Sequence, residues 1–336
     1  MAALLDRADK LAKQLDTARA ERSGLVVVSA AELIAHKFPE REPLLGDWLL
    51  KQSLCMVHAW RGTGKTYFGL AVAYAVASGG SFLKWNAGAP HRVLYMDGEM
   101  PGIAMQGRVS DLALSNDKEP PADYFQLMTR DLQTHAMPDL ATIEGQIAVA
   151  AFIKDADLVV VDNLSTLARR GGKENEGESW LPIADWALEQ RAAGKAVLFV
   201  HHSGKGGQQR GTSRREDILD VVISLHHPAD YQATEGARFV ISFEKARGLT
   251  GEAVVDFEAA LTTDAEHRQT WITQKCADVE LERVAQLVKD GATQSDVAEE
   301  LDLSRFQAGR RIKAAIERGL ISKSDLHDGR KGGVGP

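Results

Sequence analysis

The run Ala59-Trp60-Arg61-Gly62-Thr63-Gly64-Lys65-Thr66 decides how this chain is read. A loop that holds phosphate needs glycines, so that successive backbone N–H groups can turn toward phosphate oxygens. It also needs a lysine to neutralise the β- and γ-phosphates and a hydroxyl to hold Mg²⁺. Gly62, Gly64, Lys65 and Thr66 supply these, although Ala59 stands where the full pattern opens on glycine. Ser53–Ala59 in front of the loop is an apolar run of strand length, and Tyr67–Ala77 behind it reads as a helix. Such a helix adds the positive end of its dipole beneath the phosphates. The setting assigns Gly62, Thr63, Gly64, Lys65, Thr66 and Tyr67 to nucleotide binding.

Working outward, Arg92–Asp97, Leu158–Asp162 and Ala196–His201 are further apolar, strand-length runs. Helical stretches follow Pro101 and occupy 140–154 and 178–193. Strands alternating with helices predict an α/β fold with a mainly parallel sheet covered on both faces. Beyond residue 220 the pattern changes. Val221–Leu225, Ala237–Glu244 and Ala253–Phe257, parted by short polar turns, predict antiparallel additions at the sheet edge.

Four segments flank this body. In residues 1–22, Leu4, Ala8, Leu11 and Leu15 predict an amphipathic helix, which either lies on its own domain or docks on a neighbouring subunit. Ser29 and Glu32 form a capping-box pattern that predicts a short helix ending before Pro39. Residues 1–41 thus read as an N-terminal arm, 42–262 as the nucleotide-binding domain, 263–279 as a polar linker, 280–322 as a helical domain and 323–336 as a disordered tail.

Composition narrows the class. The chain has 336 residues, 44% hydrophobic and 26% charged, with a net charge of −7. That excludes a disordered chain and a basic nucleic-acid coat. No stretch approaches the roughly 18 uncharged apolar residues of a membrane span, so no membrane partner is expected. Cys55 and Cys276 are far apart and belong to no Cys/His cluster, which argues against zinc and disulfides. With Asp6, Arg7, Asp9 and Lys10 interrupting any leader, a cytoplasmic setting is expected.

The strand ends carry the candidate chemistry. Asp162 closes an apolar run, where a carboxylate can hold Mg²⁺ together with Thr66. In Asp97-Gly98-Glu99, Glu99 is preferred over Asp97 as the base that activates water; otherwise Asp97 caps the turn and Glu99 is merely exposed. His201-His202 closes a third strand, and His201 is taken as the sensor of the γ-phosphate; the competing reading is a histidine that caps the strand.

Gly62-Thr63-Gly64-Lys65-Thr66, Asp97-Gly98-Glu99-Met100, Val160-Val161-Asp162 and His201-His202-Ser203 occur in the order seen in RecA-like ATPases. Over about 42–260 the chain most resembles plasmid- and phage-encoded RepA-type hexameric replicative helicases. The resemblance implies ATP as the nucleotide, Mg²⁺ as its companion and Glu99 as the catalytic glutamate. It also implies a homo-oligomer, a hexamer, acting on single-stranded DNA.

Two further segments extend the resemblance. Gly204–Arg215, with Lys205, Arg210, Arg214 and Arg215 among glycines, resembles the channel loop that contacts DNA; otherwise it is a solvated surface loop. Glu244-Lys245-Ala246-Arg247-Gly248 resembles the hairpin whose cations reach a neighbour's γ-phosphate, giving Lys245 and Arg247 a catalytic role in trans. The competing reading is a charged sheet edge that discourages aggregation.

The C-terminal segment reads as three short helices with a tight turn at Asp302-Leu303-Ser304, a helix-turn-helix pattern. Residues 304–331 hold eight basic and three acidic side chains. Arg305, Gln307 and Arg310 are placed toward a major groove, and Gly319-Leu320-Ile321 at the start of a wing. The other use of such a domain is protein docking.

Overall fold

The computed structural model describes residues 25–169, 180–203, 217–228 and 230–326. The chain divides into a short unit up to Arg41 and a main unit from Glu42. In the first, helix α1 (Ala30–Ala35) is closed by the expected capping box. Ser29 Oγ accepts from the Glu32 amide at 3.2 Å, and Glu32 Oε2 accepts from the Ser29 amide at 2.7 Å. The helix expected over 1–22 lies outside the described residues.

The main unit opens with a small hairpin, β1 (Pro43–Leu45) and β2 (Leu49–Leu50), before β3 (Leu54–Ala59) and α2 (Lys65–Ser78). A second hairpin, β4 (Ser81–Phe82) and β5 (Trp85–Asn86), leads to β6 (Val93–Asp97), α3 (Gly102–Ser115) and β7 (Phe125–Thr129). Then come α4 (Ile143–Ile153), β8 (Leu158–Asp162), α5 (Leu164–Leu167), α6 (Leu181–Ala192), β9 (Ala196–His202) and β10 (Val221–His226). The chain continues through β11 (Arg238–Ala246), β12 (Phe257–Thr263), β13 (Gln269–Lys275), α7 (Cys276–Lys289), α8 (Gln294–Glu300) and α9 (Arg305–Glu317).

The described residues build a sheet in the order β13-β12-β11-β10-β3-β9-β8-β6-β7. From β10 to β7 every pairing is parallel; β11, β12 and β13 add antiparallel. Because the central parallel strands are buried on both faces, β3, β6 and β8 read as unbroken buried runs. One face packs under α2 and α3, the other under α4, α5 and α6. Twelve of the fourteen residues of α2 are buried, which is why its sequence shows no polar face.

Four expectations need correction. β10 was grouped with the antiparallel additions, yet it pairs in parallel with β3; direction is set by the returning connection, which composition does not encode. Strand β7 was not foreseen, because Phe125–Thr129 lies half-buried at the sheet's edge. The strand expected at Ala253–Phe257 begins at Phe257, after a 3₁₀ turn over Gly251–Val254. Finally, the polar linker expected over 263–279 is strand β13 and the start of α7. As the outermost strand, β13 needs only one inward apolar side chain, Trp271, whose ring lies 5.5 Å from those of Phe82 and Phe239.

Helices α7, α8 and α9 close on an apolar core of their own, including Leu281, Val284, Val297, Ile312 and Ile321. Ile321 joins that core and a short 3₁₀ turn over Lys323–Asp325 follows, so among the described residues no strand forms the expected wing. The rest of the expected tail, 327–336, lies outside the described residues.

Candidate active site

A cleft of about 440 Å³ opens at the C-terminal edge of β3, β6, β8 and β9. Ligands of open α/β sheets bind at this edge, where loops and helix N-termini converge. The phosphate loop forms one wall. Gly62 has φ +82° and Gly64 φ +114°, backbone that a residue with a Cβ rarely adopts. At Gly64 a Cβ would also press against Phe239 at 3.1 Å. Gly62, Gly64, Lys65, Thr66 and Tyr67 all line the cleft. Thr63 does not: it is buried, and its hydroxyl donates to the Trp60 carbonyl at 2.9 Å, fixing the loop from inside.

Lys65 is 6% exposed, and its Nζ donates to the carbonyls of Ala59 at 3.0 Å and Trp60 at 2.9 Å. Burial lowers its pKa to about 8, against the pull of Asp162 and Glu99. The ammonium is therefore held by neutral dipoles that phosphate oxygens can replace. Ala59, the departure from the full loop pattern, acts through its backbone, accepting from Lys65 and from the Ser203 amide at 2.9 Å.

Asp162 is aligned with Asp97 across β8 and β6, and both face the cleft. Burial raises the pKa of Asp162, opposed by hydrogen bonds from Tyr95 and Thr66. Tyr95 is fully buried and its hydroxyl donates to Asp162 Oδ2 at 2.6 Å. Thr66 and Asp162 thus meet at the mouth of the loop, the pair expected to hold Mg²⁺. Among the described residues no cluster of three or more histidines, cysteines or carboxylates could hold a metal alone.

Glu99 is at the open lip, its side chain 60% exposed. Its Oε2 accepts from Asn163 Nδ2, and His202 Nε2 lies 3.4 Å away. Asn163 Nδ2 and His202 Nε2 are themselves 3.1 Å apart, so one amide bridges the carboxylate and the imidazole. Burial lowers the pKa of His202, and Lys65 adds to the effect. Asp97 behaves differently: its carboxylate accepts from the backbone amides of Glu99 and Met100, capping the turn, and burial raises its pKa to about 6. Asp97 thus caps the turn and Glu99 is exposed, as the competing reading has it, while Glu99 also lines the cleft, held by Asn163 and His202.

The histidine expectation is corrected. His201 is buried at 1% exposure, and it is His202 that lines the cleft. Adjacent residues of a strand point to opposite faces, so only one of the pair can reach the cleft, and the sequence does not say which. Sequence reading also missed Tyr95, Asn163 and Arg108. The Arg108 guanidinium lies over the Tyr67 ring, 4.1 Å from its centre, a cation–π pair on the cleft wall against which a nucleobase can rest. The only sequence signal for Asn163 was its place directly after Asp162, to which it is joined by a cis peptide.

The remaining candidates lie elsewhere. Lys245 and Arg247 do not line this cleft; both donate to the Asp217 carbonyl, at 3.4 and 2.9 Å. Lys205, Arg210, Arg214 and Arg215 lie outside the described residues. Arg305 and Arg310 are exposed on α9. Gln307 is instead occupied by a capping box, its Oε1 accepting from the Ser304 amide at 2.9 Å and hydroxyl at 2.8 Å.

This sheet, phosphate loop and paired carboxylate define a P-loop nucleoside triphosphatase with a RecA-like α/β fold. The sequence profile of the AAA domain family matches residues 17–208, more than half of the chain, and the chain belongs to that family. The match stops ahead of β10, so it covers neither the Lys245–Arg247 hairpin nor the C-terminal helices. Among solved structures, a KaiC-like protein from the hyperthermophilic archaeon Pyrococcus horikoshii is 12% identical, over 70% of this chain and 99% of that one, with a TM-score of 0.47. No curated protein matches the sequence. No described helix is long and apolar enough to cross a membrane.

Proposed function

We propose that this P-loop triphosphatase hydrolyses Mg·ATP as a ring of identical subunits, a hexamer, and uses the cycle to pull on single-stranded DNA as a replicative-type helicase does. Glu99 orients and deprotonates the attacking water, held by Asn163 and His202. Lys65 leaves the carbonyls of Ala59 and Trp60 for the phosphates, and Thr66 with Asp162 holds the Mg²⁺ that accompanies them. Lys245 and Arg247 serve the γ-phosphate of a neighbouring subunit, a contribution of about 10³–10⁵ in rate for such trans cations.

One observation carries the reading. The chain's own cleft has a glutamate at its lip, a lysine and a carboxylate–hydroxyl pair, while the two hairpin cations stand outside it. The test is ATP hydrolysis with and without single-stranded DNA for the wild type, Glu99→Gln and Arg247→Ala. Each variant alone should be inactive, and mixing them should restore DNA-stimulated turnover. DNA stimulation that survives loss of Lys205 and Arg210 argues against the channel loop.

A second reading is favoured by the exposed cations of α9, Arg305, Arg310 and Lys313, on helices with their own core. In it the helix-turn-helix segment binds duplex DNA or a replication protein, and ATP controls that binding without unwinding. Slow turnover indifferent to single strands, with duplex affinity lost in Arg305→Ala and Arg310→Ala, selects it.

A further inference from the structure

A buried polar chain runs across the sheet from the cleft to the hairpin. His58, on β3 just before the phosphate loop, is fully buried. Its Nδ1 lies 2.8 Å from Ser203 Oγ, and its Nε2 lies 2.9 Å from Glu244 Oε2. An ionised carboxylate only accepts, so Nε2 carries the proton and Nδ1 shares the second bond with the Ser203 hydroxyl. Ser203 follows His202, the histidine at the cleft, and its amide is bound to the Ala59 carbonyl. Glu244 directly precedes Lys245.

Glu244 reaches His58 by way of a backbone irregularity. Strand β10 separates β3 from β11, so the side chain must cross it. Along β10–β11 the register runs Ile223 to Phe243 and then Val222 to Lys245, leaving Glu244 as an extra residue, a β-bulge. A bulge re-aims side chains and sharpens strand twist, and it is a built feature of a sheet edge. Here it turns Glu244 toward His58 and leaves Lys245 and Arg247 at the hairpin end, on the Asp217 carbonyl. Ser224 of β10 adds a hydrogen bond to Glu244. A buried histidine between a strand exit and a bulge is an expensive way to fill space, because every polar atom in it must be satisfied.

We infer that His58 is a positioning residue that ties the cleft end of β9, through Ser203, to Glu244, and so sets the Lys245–Arg247 hairpin that serves the neighbouring subunit. The inference rests on the proposed trans role of that hairpin and adds its control: the state of a subunit's own cleft fixes the cations it offers to the next.

The directional test uses mixed assemblies of full-length variants. Glu99→Gln supplies a hairpin but no base, and Arg247→Ala supplies a base but no finger. Adding His58→Leu to the Glu99→Gln chain should lower the rescued turnover by about tenfold or more, the scale of a misplaced catalytic group. Adding it to the Arg247→Ala chain, whose hairpin is already disabled, should change little. His58→Gln, which keeps two hydrogen bonds, should restore most of the rescue. Nucleotide affinity of the His58→Leu chain within about twofold of wild type shows an intact phosphate loop; Glu244→Ala, which removes the acceptor for His58 Nε2, repeats the test from the exposed end should that variant misfold. Equal loss from both chains, or loss from neither, overturns the inference while leaving the shared site standing. No rescue between Glu99→Gln and Arg247→Ala overturns the shared site, and this inference with it.

Discussion

Nucleotide affinity should fall with rising pH through one lysine. The buried Lys65 has a pKa of about 8, because the ammonium's loss of water outweighs the attraction of Asp162 and Glu99. Phosphate contact requires the charged form. The sign follows: the lysine is cationic below pH 8 and ready to bind, while above pH 8 it must first recover a proton. With this pKa about one lysine in ten is neutral at pH 7 and about nine in ten at pH 9. The dissociation constant should therefore rise about tenfold between those values, equivalent to about 1.4 kcal/mol. Asp97, near pH 6, titrates below this window. The assay is equilibrium titration with a fluorescent, non-hydrolysable ATP analogue at fixed Mg²⁺ and ionic strength, from pH 7 to 9. Lys65→Arg is the control: the guanidinium stays charged, so its affinity, though weaker, should be flat. A flat wild-type profile, or the same slope in Lys65→Arg, would refute the reasoning.

Four other substitutions test the geometry. Tyr95→Phe removes the 2.6 Å donor to the buried Asp162 carboxylate; leaving that group short of a partner should cost about 1–3 kcal/mol, read by denaturant unfolding. Gly64→Ala should abolish nucleotide binding, since it combines φ +114° with a 3.1 Å contact to Phe239, whereas Gly62→Ala, with no atom within 4 Å of its Cβ, should weaken binding without abolishing it. Trp271→Ala should lower stability by about 3 kcal/mol, because its ring packs on Phe82 and Phe239; a change below about 0.5 kcal/mol, typical of surface sites, would refute that packing.

The phosphate loop was legible in the sequence because its demands are local. Gly62, Gly64, Lys65 and Thr66 must occur at fixed spacing between a strand and a helix, and those two elements announce themselves by composition. Asp162 was legible for the same reason, closing a strand that is apolar up to it, and Glu99 because it stands just after Asp97, which closes another. Even the Ser29–Glu32 cap needed only three residues of spacing.

What tertiary structure alone decided concerns partners distant in sequence. Which of His201 and His202 meets the cleft depends on the face that β9 presents to its neighbours, and a shift of one residue would reverse it. Tyr95 serves Asp162 from 67 positions away, and Glu244 meets His58 from 186 away through a bulge that no periodicity reports. β13 is polar because the edge of a sheet asks for only one inward side chain, so its composition matches that of a linker. Local rules therefore fixed the chemistry that can bind a triphosphate, while the sheet's pairing order decided which side chains stand around it.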